Sequence, residues 1–243
     1  MESVTISGNE EQVRRFCAYR IIEHFALILL FGILACTGLP QKFYYLGVSQ
    51  SIIVLLGGID NMRFIHHIAG GLFTMLALQH IPVNIAGVMF FKWQPSMLIT
   101  FKDARDAFHN VRYYLGLSDN PALGTRYSYK EKCIYWLVLM GGCQMIVTGF
   151  VLWFPVFVTK FLPGIFIPLS KTVHTSEAML IFILVITWHI YDSVLSPDVF
   201  PFNGSIFTGY AKKKQMKMRE LSATGEDIRA GEPGLLVDRN RPL

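Results

Sequence analysis

Charge is what this chain has least of. Only 16% of its 243 residues are Asp, Glu, Lys or Arg, against about 25% in an ordinary soluble domain. Together with a hydrophobic share of 52%, that shortage argues against a freely soluble globular protein. Cysteine is scarce and unpatterned. Cys17, Cys36, Cys133 and Cys143 make no CxxC pair, and no CxxCH occurs. Covalently attached c-type haem is therefore excluded, and the four read as membrane-buried thiols. Strand-length segments of strict apolar–polar alternation are missing too, which sets a transmembrane β-barrel aside. The polar stretch Met1–Gln12 precedes the first apolar run, and no short apolar core ends in a small-residue cleavage site. A removable signal peptide is not expected, and the N-terminus is expected to stay on the cytoplasmic side.

What the chain does have is apolar residues in four long runs: Ala18–Leu39, Phe64–Phe91, Cys133–Phe154 and Val173–Leu195. About 20 apolar residues carry a helix across a hydrocarbon core of roughly 30 Å, and a helix satisfies its own backbone polar groups there. The expected fold is all-α, an integral membrane four-helix bundle over residues 1–210, followed by a polar cytoplasmic tail at 211–243. Eighteen Lys and Arg fall in the N-terminal segment, the connection between the second and third runs, and the C-terminal tail, against four on the other side (Lys42, Arg63, Lys160, Lys171). This bias places both termini in the cytoplasm. It also accounts for a pI near 9.0 without a nucleic-acid partner. Two connections on the opposite side, Tyr44–Ile59 and Val156–Leu169, are unusually apolar yet broken by Gly or Pro. They are expected to lie in the membrane interface or under a partner subunit.

Seven histidines remain, and six of them (His24, His66, His67, His80, His174, His189) fall in or at the runs; His109 does not. An ionisable side chain inside a bilayer is costly and marks function by default. His66 and His80 are 14 residues apart and His174 and His189 are 15 apart. At 100° and 1.5 Å per residue, each pair shares a broad helix face but is separated by about 21–22 Å along it. One metal cannot bridge that distance, whereas two sites stacked at two depths can. Both runs cross from outside to inside, so His66 and His174 pair at the outer level. His24, His80 and His189 compete for two positions at the inner level. Paired trans imidazoles on facing helices suit b-type haem, whereas structural zinc wants four clustered ligands. Gly70, Gly71, Gly141, Gly142 and Gly149 leave room for a flat macrocycle or simply for close helix packing. Arg20, Arg63, Lys92 and Lys171 near the span ends are placed to meet propionates or to anchor the helices. His67, about 100° around the helix from His66, is expected to face a neighbour, a propionate or the interface.

Four stretches carry a resemblance: RIIEHFALILLFGILACTGLP, FIHHIAGGLFTMLALQH, YSYKEKCIYWLVLMGGCQMIVTGFVLWFP and HTSEAMLIFILVITWHIYDSVLSPDVFP. From about Arg14 to Gly209 the chain resembles the membrane cytochrome b family of formate dehydrogenase gamma subunits and nickel-iron hydrogenase cytochrome b subunits. The resemblance implies two haem b groups, each with two axial histidines. His66, in the family's HxxxG pattern, would pair with His174, and His24 with His189. His80 departs from the pattern, as a substitute for His24 or as a hydrogen-bonding group near a quinone. The resemblance also implies a quinone (menaquinone or ubiquinone) beside the inner haem, where His109-Asn110 occupies the comparable loop. It implies a bacterial cytoplasmic (inner) membrane, an extracytoplasmic iron-sulfur or c-type cytochrome subunit, and a separate catalytic subunit.

The expectation is therefore an electron-transfer subunit of a quinone-linked respiratory complex, embedded in membrane lipid. Two other classes fit the same composition: a transporter that uses buried histidines as a proton relay, and a passive membrane anchor without haem.

Overall fold

The computed structural model describes residues 5–7, 10–14, 16–92, 95–122, 127–195 and 204–212. The elements in chain order are β1 (Thr5–Ser7), β2 (Glu10–Arg14), α1 (Ala18–Lys42), α2 (Gly47–Leu55), α3 (Ile59–Phe90), α4 (Phe101–Tyr114), α5 (Tyr129–Trp153), α6 (Pro155–Val158), α7 (Phe166–Leu184), α8 (Ser205–Thr208) and β3 (Tyr210–Lys212). Past Leu184 the last long helix continues as two π-wound segments, Val185–His189 and Tyr191–Leu195.

Four of these helices are long and apolar enough to cross a membrane: Ala18–Lys42, Ile59–Phe90, Tyr129–Trp153 and Phe166–Leu195. They coincide with the four apolar runs. Three start earlier than the runs do: the helices take in Ile59–Arg63, Tyr129–Lys132 and Phe166–Thr172, where polar or charged side chains or a proline interrupt the apolar sequence. The apolar connections contain the short helices α2 and α6.

The chain divides into two compact units. One comprises 16–94 and 136–209 and contains most of the four long helices; the other comprises 1–15, 95–135 and 210–243. In the first unit α1 is central, packing on α2, α3, α7 and α8. Among the described residues few apolar side chains on the long helices are enclosed: Leu30, Pro40, Met62, Ala69 and Val151. Ile22, Leu29, Met75, Leu78, Met140, Val147 and Leu180 point outward, while the polar Thr37, Thr148 and Ser170 lie buried. A helix that is apolar on its outer surface and polar within is matched to lipid rather than water. Phe16 N–H donates to Gly209 C=O at 3.1 Å, so the residues leading into the first long helix and those following the fourth lie together.

In the second unit, β1, β2 and β3 form a small antiparallel ribbon, with Gln12 opposite Lys212 and Arg14 opposite Tyr210. The unit also holds α4 and the first turns of α5. Of the tail expected at 211–243, residues 213–243 lie outside the described residues.

Candidate imidazole pairs

The expected outer pair meets. The rings of His66 on α3 and His174 on α7 have centroids 6.4 Å apart. The inner pair meets as well, and it is His24 on α1 with His189, at 6.3 Å. A metal bound between two imidazoles at about 2.0–2.1 Å per nitrogen, with each centroid about 1.1 Å farther out, sets centroids roughly 6.3 Å apart. Both pairs therefore fit a bis-imidazole iron by spacing. Along α1 the two levels are marked by His24 and by Thr37, about 20 Å apart at 1.5 Å per residue.

The winding of the last helix helps bring this about. On regular α-geometry His189 would sit some 60° around the axis from His174. Val185–His189 is π-wound, and that wider coil turns less per residue, which rotates His189 back toward the face of His174.

A threonine fixes each outer ring. Thr37 Oγ1 donates to the carbonyl of Ile33 at 2.7 Å and lies 2.8 Å from His66 Nδ1. Two bare acceptor oxygens do not sit 2.7 Å apart, so the single hydroxyl hydrogen lies between them. The contact to His66 must then be supplied by a hydrogen on Nδ1. Thr148 repeats the device: its Oγ1 donates to the Gln144 carbonyl at 2.8 Å and meets His174 Nδ1 at 2.9 Å. Both outer rings are thereby held in the tautomer that leaves the Nε2 lone pair for a metal, the arrangement that orients histidine ligands generally. Glycine follows each threonine. A Cβ at Gly38 would lie 3.1 Å from His66 Cε1, and one at Gly149 would lie 3.3 Å from His174 Cε1. The Thr-Gly step thus places the ring and makes room for it. Sequence reading singles out Gly149 but neither threonine nor Gly38; the available signal is the Thr-Gly dipeptide repeated in the first and third runs.

The inner pair has no such device on His24, whose Nδ1 is buried without a hydrogen-bond partner. That orphaned atom needs an acceptor or a metal to be stable in so apolar a setting. Beside it lies a charged cluster. Glu23 pairs with Arg20 at 2.9 Å and with His80 Nδ1 at 2.7 Å. Arg20 also donates to Asn84 Oδ1, and Asn84 Nδ2 donates back to the His80 carbonyl at 2.7 Å. His80 is thus engaged by Glu23, and His24 is the ring that faces His189.

His67 stacks on Trp153 with centroids 4.7 Å apart and planes 17° from parallel, turned away from its neighbour's partner. Phe73 lies over Gly142 and Ile181 over Gly141, so these glycines serve close packing. A Cβ at Gly70 or Gly71 would meet nothing within 4 Å. Among the described residues Glu177 Oε2, one turn past His174, is the second buried polar atom without a hydrogen-bond partner. Among the described residues no group of three or more His, Cys, Asp or Glu side chains converges on a metal-sized site; the imidazoles meet in twos.

His109 and Asn110 lie in the other unit, where each has a local partner. His109 Nε2 is 2.9 Å from the Asn120 carbonyl. Asn110 accepts from the Ala122 N–H at 2.7 Å and donates to the Tyr129 hydroxyl at 3.3 Å. Together they tie the turn at 118–122 to α4. Close by, Lys132 donates to Asp103 at 2.8 Å, both side chains only 6% exposed. Burial pushes the Asp103 carboxyl up, but hydrogen bonds from Lys132 and Thr100 outweigh it and hold the group below its ordinary range.

Comparison with protein-family models and with curated proteins finds no match for the chain.

Proposed function

We propose that the chain is the membrane cytochrome b subunit of a respiratory oxidoreductase complex. In this reading it carries electrons through two b haems between an extracytoplasmic redox partner and the quinone pool of a bacterial inner membrane. His66 with His174 would hold the outer haem and His24 with His189 the inner one, as in the family that the sequence resembles. The observation that carries the reading is the pair of imidazole couples at 6.4 and 6.3 Å, one at each level of a bundle with a lipid-matched exterior. Haem bound there supplies a one-electron ferric/ferrous couple whose potential the surroundings tune. The chain's own residues do the rest. Thr37 and Thr148 fix the outer tautomers, the apolar exterior excludes water, and the Arg20–Glu23–His80 cluster offers protonatable groups at the inner level. His109 and Asn110, the residues expected to meet a quinone, would have to exchange their local partners Asn120, Ala122 and Tyr129 to do so.

Absorption spectra of the purified chain, oxidised and dithionite-reduced, together with its haem-to-protein ratio, test this. Two b haems per chain are expected, along with an iron-sulfur or c-type cytochrome subunit and a catalytic subunit in the native complex. A well-folded, colourless protein would refute it.

The charged cluster also favours a second reading, a proton-relay transporter, because membrane-buried carboxylate–histidine contacts are how such relays are built. Haem-free protein that acidifies or alkalinises liposomes would decide for it.

A further inference from the structure

Helix α4 is inside out. In a water-exposed connection an amphipathic helix turns its apolar stripe inward and its charges outward. Here Asp103, Asp106 and Asn110 are the buried residues of α4. Phe101, Phe108, Val111 and the capping Leu115 are 96%, 66%, 53% and 69% exposed, and Ala104 is exposed with them. The steps along this stripe are three, four, three and four residues. At 100° per residue the five side chains fall in an arc of about 80°, roughly opposite the buried polar face. Arg105 and Arg112, both exposed, lie side by side along one flank of the stripe.

The depth of the helix is fixed by its polar face. Asp103 binds Lys132 and Asn110 binds Tyr129, and both partners belong to the first turn of α5, one of the four helices able to cross a membrane. Helix α4 is therefore held against the level at which that helix starts, with its stripe facing away from α5.

We propose that α4 is an interfacial helix. Its Phe101–Phe108–Val111–Leu115 stripe lies in the headgroup–acyl boundary, and Arg105 and Arg112 bind the phosphates of anionic phospholipids. A helix with one apolar face, basic residues at its margin and a polar opposite side has this as its stable position. Each arginine near an anionic surface adds an attraction that lipid composition controls. The proposal rests on α5 crossing the bilayer and is independent of haem.

The test places a photoreactive side chain on the stripe by Phe108→p-benzoylphenylalanine in the full chain, purified and reconstituted into nanodiscs. One set of discs is phosphatidylcholine alone and the other a phosphatidylcholine–phosphatidylglycerol mixture. Irradiation is expected to add the mass of one phospholipid, with a several-fold higher yield in the anionic discs. Arg105→Gln/Arg112→Gln, which leaves the stripe intact, is expected to remove that difference. Crosslinking to a second polypeptide overturns the proposal, as does an equal lipid yield in both disc types. A chain that stays out of the discs overturns the spanning reading and the proposal with it. A chain that inserts without a lipid adduct overturns the proposal alone.

Discussion

The outer and inner imidazole pairs share a ring spacing, 6.4 and 6.3 Å, and almost nothing else. At the outer level each ring is gripped by an uncharged hydroxyl that has already spent its hydrogen on a backbone carbonyl. At the inner level His24 has no hydrogen-bond partner for Nδ1, and its sequence neighbour Glu23 belongs to a network with Arg20 and His80. Helix depth sets which rings meet, whereas the residues on the adjoining helix turn set how each ring is held. The two levels are therefore expected to respond differently to substitution.

The largest effects come from the rings themselves. On the proposed two-haem reading, His66→Ala or His174→Ala is expected to halve the haem-to-protein ratio and spare the inner haem, and His24→Ala or His189→Ala to do the reverse. His80→Ala sharpens the inner assignment. Because His80 is bound to Glu23, the variant is expected to keep both haems, as judged by the pyridine haemochrome ratio. Loss of one haem in His80→Ala with both retained in His24→Ala would exchange the two residues' roles.

The threonines come next. Hydrogen bonding from Nδ1–H raises the basicity of a histidine ligand and so favours the oxidised metal. Thr37→Val with Thr148→Val removes both acceptors at the outer level only. Potentiometric titration is expected to show the outer couple rising, by about 59 mV for each tenfold loss of preference for the ferric form in a one-electron couple. The inner couple should be unchanged. Serine keeps the hydroxyl, so Thr37→Ser with Thr148→Ser is expected to restore the original value. Equal shifts at both levels would erase the contrast drawn above.

Much of this arrangement was legible in the sequence. The four runs marked the four long helices, because helices that are apolar on their outer surface carry unbroken apolar runs, and the 14- and 15-residue histidine spacings marked two levels. Depth left three candidates at the inner level, and only the resemblance favoured His24 over His80; in the structure Glu23 engages His80 across two helices while His24 faces His189, a tertiary arrangement with no local signature. Thr37 and Thr148 escaped notice for a similar reason. A threonine bonded to its own helix carbonyl is ordinary in an apolar helix, and only the ring arriving from another helix gives it a task. The π winding at Val185–His189 could not be read from periodicity, which assumes 100° per residue. The orientation of α4 was hidden as well, since nothing local marks Asp103 and Asn110 as residues that bind the first turn of α5.

The smallest effect tests the grip itself. Gly38→Ala places a methyl 3.1 Å from His66 Cε1, and Gly149→Ala places one 3.3 Å from His174 Cε1. The rings cannot swing freely away, because doing so stretches the 2.8 and 2.9 Å bonds to Thr37 and Thr148. Crowding of this kind costs about 1–3 kcal/mol when neighbours are fixed, against a gain of up to about 1 kcal/mol from replacing glycine within a helix. Gly38→Ala, the tighter of the two, is expected to lower the temperature at which the outer haem's absorption bands are lost, and Gly149→Ala to change it little. Adding Thr37→Val to Gly38→Ala frees the ring to retreat, so the two substitutions together should cost less than the sum of each alone. Strict additivity would mean that the hydroxyl does not hold His66 in place.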